Sequence, residues 1–581
     1  VSRSGSSVRG ERRAGGAWAV AAWTLAVALP LAFLGLFFLW PVLSLVATGF
    51  IADGRLDLSG LPEVFGAGRT WRVIGQTLTQ ASLATLLSLA LGVPAAYVLY
   101  RLEFRGRRWV QGLMTVPFVL PTVVVGIAFS ALLGPGGPLE FLGLERSLVT
   151  IVAALAFFNV TVVARTVGSF WARLDESGNH AAQVLGASPL RAWCTVTLPA
   201  LGPALASAAA LVFLFCSTSF GVVLILGGRE YANVETEIYR MTVQFLDLRG
   251  AAVLSLAQLA LVAGVLFVSA RLRAAGERAV QLLPDGLPGR RVQRKDIPVL
   301  LVCGATVVLL HLAPILTLVA RSLRSPTGEW TLAHYRALVQ PPPEFPLAGS
   351  VLQAIGLSCR IAAVAAVIAM VLGVLISMVL SRRPVSRLAR RGQHLFDAVV
   401  MLPLGVSAVT LGFGLLLTMH RPLGIGMDLR TSVVLIPIAQ ALVALPLVVR
   451  VLLPVLRGID PTLRFAAASL GASGGAVLRT IDLPLLGRSI GLALGFAFAT
   501  SLGEFGATSF LVRPGAQTLP VAVAELIGHQ SPGAYGAGLA GAVVLGAVTA
   551  AAMLGFERLR ASGSIRVSGQ RRAGDGSKGE W

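Results

Sequence analysis

Chemistry needs ionisable or nucleophilic side chains at a working spacing, and this chain offers few. Its sharpest polar signal is Ser501-Leu-Gly-Glu504-Phe505-Gly-Ala-Thr508, a carboxylate inside an apolar run, whose counterpart 285 residues earlier is Cys216-Ser-Thr-Ser219-Phe220-Gly. A carboxylate is expensive to bury in hydrocarbon, so it is a functional candidate by default. Two readings stand. Either Ser219, Phe220, Glu504 and Phe505 line a pathway or gate, or Glu504, between Gly503 and Gly506, satisfies loose backbone donors at a helix break. Catalytic signatures are missing elsewhere. No segment matches GxxxxGK[ST], and the two lysines, Lys295 and Lys578, lie in no phosphate-cradling loop. The six histidines show no i,i+4 pair at ligand spacing, and no G-x-S-x-G elbow is present. The chain is therefore expected not to be an enzyme, to hold no metal or cofactor, and not to hydrolyse ATP itself.

The elements that position these residues come from a duplication, and periodicity is the first thing to establish. The stretch His180-Ala181-Ala182-Gln-Val-Leu185-Gly186-Ala-Ser, ending in Leu198-Pro199, returns as Phe465-Ala466-Ala467-Ala-Ser-Leu470-Gly471-Ala-Ser, ending in Leu483-Pro484. The same offset pairs Arg165 with Arg450, Asp175 with Asp460 and Thr195 with Thr480. Upstream, Gly92 corresponds to Gly373, and Pro117 with Gly126 to Pro403 with Gly412. Each copy is an amphipathic segment between long apolar runs, which predicts a short helix, a bend at the Gly and a second helix, with Pro199 and Pro484 at the start of the next helix.

This duplicated pattern looks like the cytoplasmic EAA loop of ABC importer permeases, which docks into a cleft on a separate ATP-hydrolysing subunit. The resemblance implies that the docking loops are carried by Ala181, Ala182, Leu185, Gly186, Leu198 and Pro199 and by Ala466, Ala467, Leu470, Gly471, Leu483 and Pro484. The family usually has Glu at the first position, where this chain has His180 and Phe465. That departure bears on a docking salt bridge, not on docking.

Composition agrees. Hydrophobic residues make up 55% and charged residues 13% of 581, and mean hydropathy is +0.79. An ordinary soluble enzyme is excluded and a polytopic membrane protein indicated. The net charge of +21 comes mostly from Arg in short loops, which a positive-inside bias explains without nucleic acid. Cys194, Cys216, Cys303 and Cys359 have no CxxC spacing and read as small apolar residues.

Windows of about 20 apolar residues give twelve expected spans in an all-α polytopic membrane protein, as two tandem parallel repeats of about six. The expected organisation is a cytoplasmic tail over 1–16, a first permease half over 17–271 with its EAA loop at about 172–199, and a linker over 272–296. A second half over 297–556, with its loop at about 457–484, and a tail over 557–581 complete it. Arg101, Arg105, Arg107 and Arg108, and Arg382, Arg383, Arg387, Arg390 and Arg391, follow the second and eighth spans, which places both loops and both termini in the cytoplasm. Arg165 and Arg450, near the inner span ends, either snorkel to the interface or contact the coupling loop.

The wider chain resembles the fused two-half permeases of the ferric-iron and thiamine importers. The matching strings are Ser219 to Gly228, Glu237-Ile-Tyr239, Leu502-Gly-Glu-Phe-Gly506 and Thr518-Leu-Pro520. The Gly-Glu-Phe-Gly-Ala-Thr string also looks like molybdate and sulfate permeases. The resemblance implies a bacterial inner-membrane, multi-pass permease in contact with lipid, served by two copies of an ATPase subunit carrying ATP and Mg, and by an extracytoplasmic solute-binding protein. Its expected solute is ferric iron or thiamine and its phosphates. An anion importer of the molybdate or sulfate type is one rival, and an ion-gradient-driven secondary transporter another.

Overall fold

The computed structural model describes residues 23–52, 55–228, 230–276, 289–345, 349–382, 386–420, 422, 426, 428–513, 515–529 and 531–562. The N-terminal tail, residues 277–288 of the linker, Arg383 and most of the C-terminal tail lie outside these residues.

The first ten helices are α1 Trp23–Phe50, α2 Gly68–Arg101, α3 Arg107–Val119, α4 Thr122–Leu133, α5 Leu148–Trp171, α6 Ser177–Val184, α7 Leu198–Ser217, α8 Gly221–Leu226, α9 Val234–Val243 and α10 Leu248–Gly276. The next ten repeat them in order. They are α11 Arg294–Ser322, α12 Val351–Ser381, α13 Arg387–Met401, α14 Ala408–Thr418, α15 Leu435–Arg457, α16 Pro461–Ser469, α17 Leu483–Leu502, α18 Thr508–Leu511, α19 Leu519–Gly528 and α20 Pro532–Ser562. Shorter helices, among them Gly60–Gly66 and Ala333–Val339, accompany them, and the strands among the described residues are two residues long.

Packing follows from small residues. α2 lies along α5 so closely that a Cβ on Gly92 would sit 2.6 Å from Val163, and α12 lies along α15 so that a Cβ on Gly373 would sit 2.5 Å from Val448. Both pairs are repeat-related. Backbone approach of this kind is what small residues supply in a membrane, where apolar burial no longer distinguishes a neighbouring helix from lipid. The first helix of each half is exchanged: α1 packs on α14, with Pro41 and Leu45 against Gly414, while α11 packs on α4 and α2. Arg321 fastens α11 by donating to the carbonyls of Ala131 (2.9 Å) and Pro135 (2.8 Å) at the end of α4.

Several expected spans are not single rods. Nine helices among the described residues are long and apolar enough to cross a membrane, or eleven if two bent pairs each count as one span. The expected third span is α3 and α4, bent by 101°. The expected ninth, 394–418, is the amphipathic α13 followed by the 11-residue α14. The runs 199–226 and 485–512 break after α7 and α17. The break after α17 falls at Gly503-Glu504, where the sequence offered one, and that after α7 covers only Thr218, Ser219 and Phe220, too short for an apolarity window of about 20 residues to register.

The two prolines, Pro199 and Pro484, stand second in α7 and α17, as expected. Those helices do not start from a loop, however, because helical backbone already runs through Pro189–Ala192 and the π-turn Trp193–Thr197, and through Gly474–Val477 and the π-turn Leu478–Asp482. A proline inside a helix lacks an N–H and crowds the carbonyl four residues back. The π-turn accommodates this by shifting the ladder one residue, with Leu198 N–H donating to Trp193 and Leu483 N–H to Leu478.

Candidate docking loops and gate

In both copies the duplicated loop is one backbone device. α6 ends with Gly186 at φ +90° and α16 with Gly471 at φ +85°. Gly186 N–H donates to Gln183 and Ala187 N–H to Ala182, each at 3.0 Å; Gly471 donates to Ala468 and Ala472 to Ala467, also at 3.0 Å. This 5→2 and 6→1 pair is a Schellman end, which needs a left-handed residue at the Gly position. Two residues on, Ser188 Oγ accepts from Arg191 N–H and Ser473 Oγ from Ala476 N–H, both at 3.3 Å, capping the next short helix. The repeated Gly-Ala-Ser therefore stops one helix, turns the chain and starts another. At the entrance, Asp175 accepts from Ser177 N–H and Asp460 from Thr462 N–H, both at 2.9 Å. These backbone donors, followed by the hydroxyls of the same residues, hold both carboxyl groups below the usual carboxylate range.

The loops present apolar side chains to the outside. Leu185 is 88% and Leu470 90% exposed. Val184, Leu190, Leu463 and Phe465 are exposed with them, as are Ala181 and Ala466, whereas Ala182 and Ala467 are half-buried. Leu198 and Leu483 are half-buried, and Pro199 and Pro484 exposed, where the loop joins the long helix. Two matched sets of uncovered large hydrophobics thus stand at equivalent positions of the two halves.

About 30 Å further along, at 1.5 Å per residue over α7 and α17, the chain brings the predicted gate residues together. Phe220 and Phe505, equivalent by the duplication, stack with ring centroids 5.3 Å apart and planes 21° apart. The axis relating the halves therefore runs between the two rings. Tyr239 lies 5.3 Å from Phe220 and 5.4 Å from Phe510, extending the cluster. Glu504 does not point into this stack. Its carboxylate accepts from Ala507 N–H (2.8 Å), Thr508 N–H (3.0 Å) and Thr508 Oγ (2.5 Å), so it saturates the start of α18. Ser219, half-buried, accepts at its carbonyl from Asn233 Nδ2 at 2.5 Å, fixing the start of α9.

Between the rings and the loops, a cleft of about 260 Å³ separates Tyr100, Thr115 and Arg165 of the first half from Leu492 and Phe496 on α17. Arg165 opens on this cleft, and Arg450 occupies the equivalent exposed position on α15.

Sequence reasoning missed Glu235. Fully buried on α9, it accepts from Ser407 Oγ of the second half at 2.6 Å and from Gln258 Nε2 at 3.1 Å, so it joins the halves beside the aromatic cluster. The signal was present as an acidic pair in Asn233-Val-Glu235-Thr-Glu237, just past an apolar run. Glu237 takes a bidentate bond from Arg69, at 2.5 and 2.8 Å, that fixes α9 to the start of α2.

Two repeats of membrane-spanning helices, each with a projecting loop at one end and one ring of a stacked aromatic pair toward the other, define a transport permease with both membrane halves in one chain. Residues 88–280 match the family described as the binding-protein-dependent transport system inner membrane component. The thiamine transport system permease protein ThiP of Escherichia coli (strain K12) is 28% identical over 469 residues, 79% of this chain and 84% of that protein. The sulfate transport system permease protein CysT of the same organism is 31% identical over 198 residues, 33% of this chain and 72% of that protein. Among solved structures, a bacterial ABC transporter involved in import of the acidic polysaccharide alginate aligns with 17% identity and a TM-score of 0.39, over 47% of this chain and 100% of that one. The chain belongs to the binding-protein-dependent transport system inner membrane component family, and is an ABC importer permease of the fused two-half type.

Proposed function

We propose that this permease passes thiamine or a thiamine phosphate across the bacterial inner membrane, with both loops and both termini in the cytoplasm. An extracytoplasmic binding protein delivers the solute. Two copies of an ATPase subunit, carrying ATP and Mg, dock on Ala181–Gly186 and Ala466–Gly471 through the exposed Leu185 and Leu470, and this chain hydrolyses nothing itself. Nucleotide-driven closure of the ATPase pair moves the loops, and the halves part at Phe220 and Phe505. The observation that carries the solute is the similarity to the thiamine permease, which aligns over 79% of this chain and 84% of its own length. The chemistry of the closure supports it. Phe220, Phe505, Tyr239 and Phe510 offer π faces when the halves part, and these attract an organic cation and give an inorganic anion nothing to bind.

The test is uptake into proteoliposomes holding the chain, its ATPase and its binding protein, with labelled thiamine, thiamine monophosphate, thiamine diphosphate, ferric ion and sulfate offered separately. ATP-dependent uptake of a thiamine species is expected. Uptake of ferric ion or sulfate in its place would overturn the solute, and uptake driven by an ion gradient without ATPase would overturn the class of energy coupling.

A further inference from the structure

The charges that follow the second and eighth spans satisfy a positive-inside rule, and such charges need no partner to do so. Among the described residues two of them, Arg101 and Arg382, have an acidic one. Arg101, the last residue of α2, is buried and pairs with Glu176 at the entrance to the first docking loop. Arg382, immediately after α12, donates to Asp482 at 2.8 Å; Asp482 is buried at the exit of the second docking loop and also takes Arg464 Nε at 2.8 Å. Arg101 and Arg382 stand 281 residues apart, the offset that relates Gly92 to Gly373. The acids are not equivalent: Glu176 corresponds to Pro461, and Asp482 to Thr197. The two halves thus reach one contact, an arginine at the end of this helix holding the docking loop, from different acidic positions.

The far end of the same helices makes a second matched contact. Thr77 Oγ on α2 accepts from Val234 N–H, the first of α9, at 3.0 Å. Ser358 Oγ on α12 accepts from Leu519 N–H, the first of α19, at 2.7 Å. Thr77 and Ser358 are again 281 apart. α9 carries Tyr239 against the Phe220 ring, and α19 follows the α18 segment that carries Phe510. From Thr77 to Arg101, and from Ser358 to Arg382, is roughly 36 Å of helix at 1.5 Å per residue.

We propose that α2 and α12 are the rods that transmit loop movement to the gate. Arg101 and Arg382 are the positioning residues at the loop end, and Thr77 and Ser358 those at the gate end. The inference rests on the reading of the loops as ATPase docking sites. Each helix is one unbroken element between its two holds, with Pro94 costing α2 a single ladder bond, so displacement of the loop is carried along it to α9 and α19. α7 and α17 by themselves give the gate no comparable hold, because each breaks before reaching it.

The test uses a cysteine-free chain with spin labels at Val243→Cys and Gly528→Cys, the ends of α9 and α19, in nanodiscs with the ATPase. The probe is Mg-ATP with vanadate, so no solute is needed. The unaltered chain should change its label distance by about 5 Å on trapping, the scale of a one-turn ratchet of one element past another. Arg101→Ala with Arg382→Ala should retain the ATPase and trap nucleotide yet lose most of that change, and Thr77→Val with Ser358→Ala should do the same. Arg101→Glu alone should reduce the change, and adding Glu176→Arg should restore it, which a general packing defect would not do. Should the double arginine variant fail to assemble, Arg382→Gln, on a side chain 36% exposed, carries the same test. A full distance change in these variants with ATPase bound, or no restoration by the swap, overturns the proposal. Absence of bound ATPase on the unaltered chain would instead overturn the docking reading.

Discussion

The loop glycines give the most quantitative prediction. Gly186 and Gly471 have φ of +90° and +85°, and a Cβ at either would meet nothing within 4 Å. Sterics outside the residue therefore contribute nothing to the cost of a side chain, and all of it lies in the backbone. A left-handed conformation costs an ordinary L-residue about 1–2 kcal/mol, while Asn adopts it more readily. If the backbone relaxes instead, the loop forfeits the two Schellman hydrogen bonds, each contributing about 0.5–1.5 kcal/mol. Either way Gly186→Val should lower the population of correctly formed loop by a factor of roughly 5–30, the equivalent of 1–2 kcal/mol. Because the loop packs mainly on the helix it leads into, the melting temperature of the whole chain should barely change. The assay is ATPase-subunit affinity for the chain in nanodiscs, paired with thiamine uptake per ATP hydrolysed. Gly186→Val and Gly471→Val should weaken docking by about that factor and lower uptake per ATP, whereas Gly→Asn at either position should lose much less. Equal loss for Val and Asn, or no loss for Val, would refute the argument from backbone conformation.

Three further outcomes are expected. Phe220→Ala with Phe505→Ala removes the stacked rings at a cost of about 3–5 kcal/mol for each truncation, and should give ATP-independent leak of thiamine from loaded proteoliposomes; a tight membrane would show that the rings are not the closure. Glu504→Gln puts an amide where three donors converge and should cost about 1–3 kcal/mol, lowering the melting temperature while uptake per ATP of the folded fraction stays unchanged; lost uptake at unchanged melting temperature would make the carboxylate a pathway group. Asp175 and Asp460 are held below their ordinary pKa, so their stabilisation of the loops is complete above the unfolded value of about 3.9 and is lost only as pH falls through the lower folded value. ATPase docking should therefore be flat from pH 8 down to about 5 as far as these groups act, and a midpoint near neutrality that disappears in Asp175→Asn with Asp460→Asn would contradict this.

What the sequence disclosed depended on whether one residue type has one use. Gly-Ala-Ser was legible because a left-handed turn favours Gly and a helix start favours Ser, and the duplication printed the pattern twice. The pairing of Phe220 with Phe505 was legible as a shared string, although only the structure shows the rings touching across the axis. The break after α17 was offered by Glu504 between its glycines, whereas those after α3, α7 and α13 were hidden, because Gly-rich apolar sequence looks the same to a hydropathy window whether it continues or turns. Glu504 kept two readings because its donors are backbone N–H groups, which no sequence displays. The anchors Arg101 and Arg382 were hidden for another reason: topology already accounted for them, and their acidic partners, Glu176 and Asp482, do not align between the halves.

The most direct test of the central claim is the stoichiometry of the intact complex. The chain is extracted gently from its native membrane, weighed by native mass spectrometry and assayed for ATP hydrolysis. Two ATPase subunits per chain, reduced to one when Leu185 and Gly186 are altered together and to none when Leu470 and Gly471 are altered as well, is the predicted result. A chain that carries no ATPase even after mild crosslinking, and whose uptake follows an ion gradient, would contradict it.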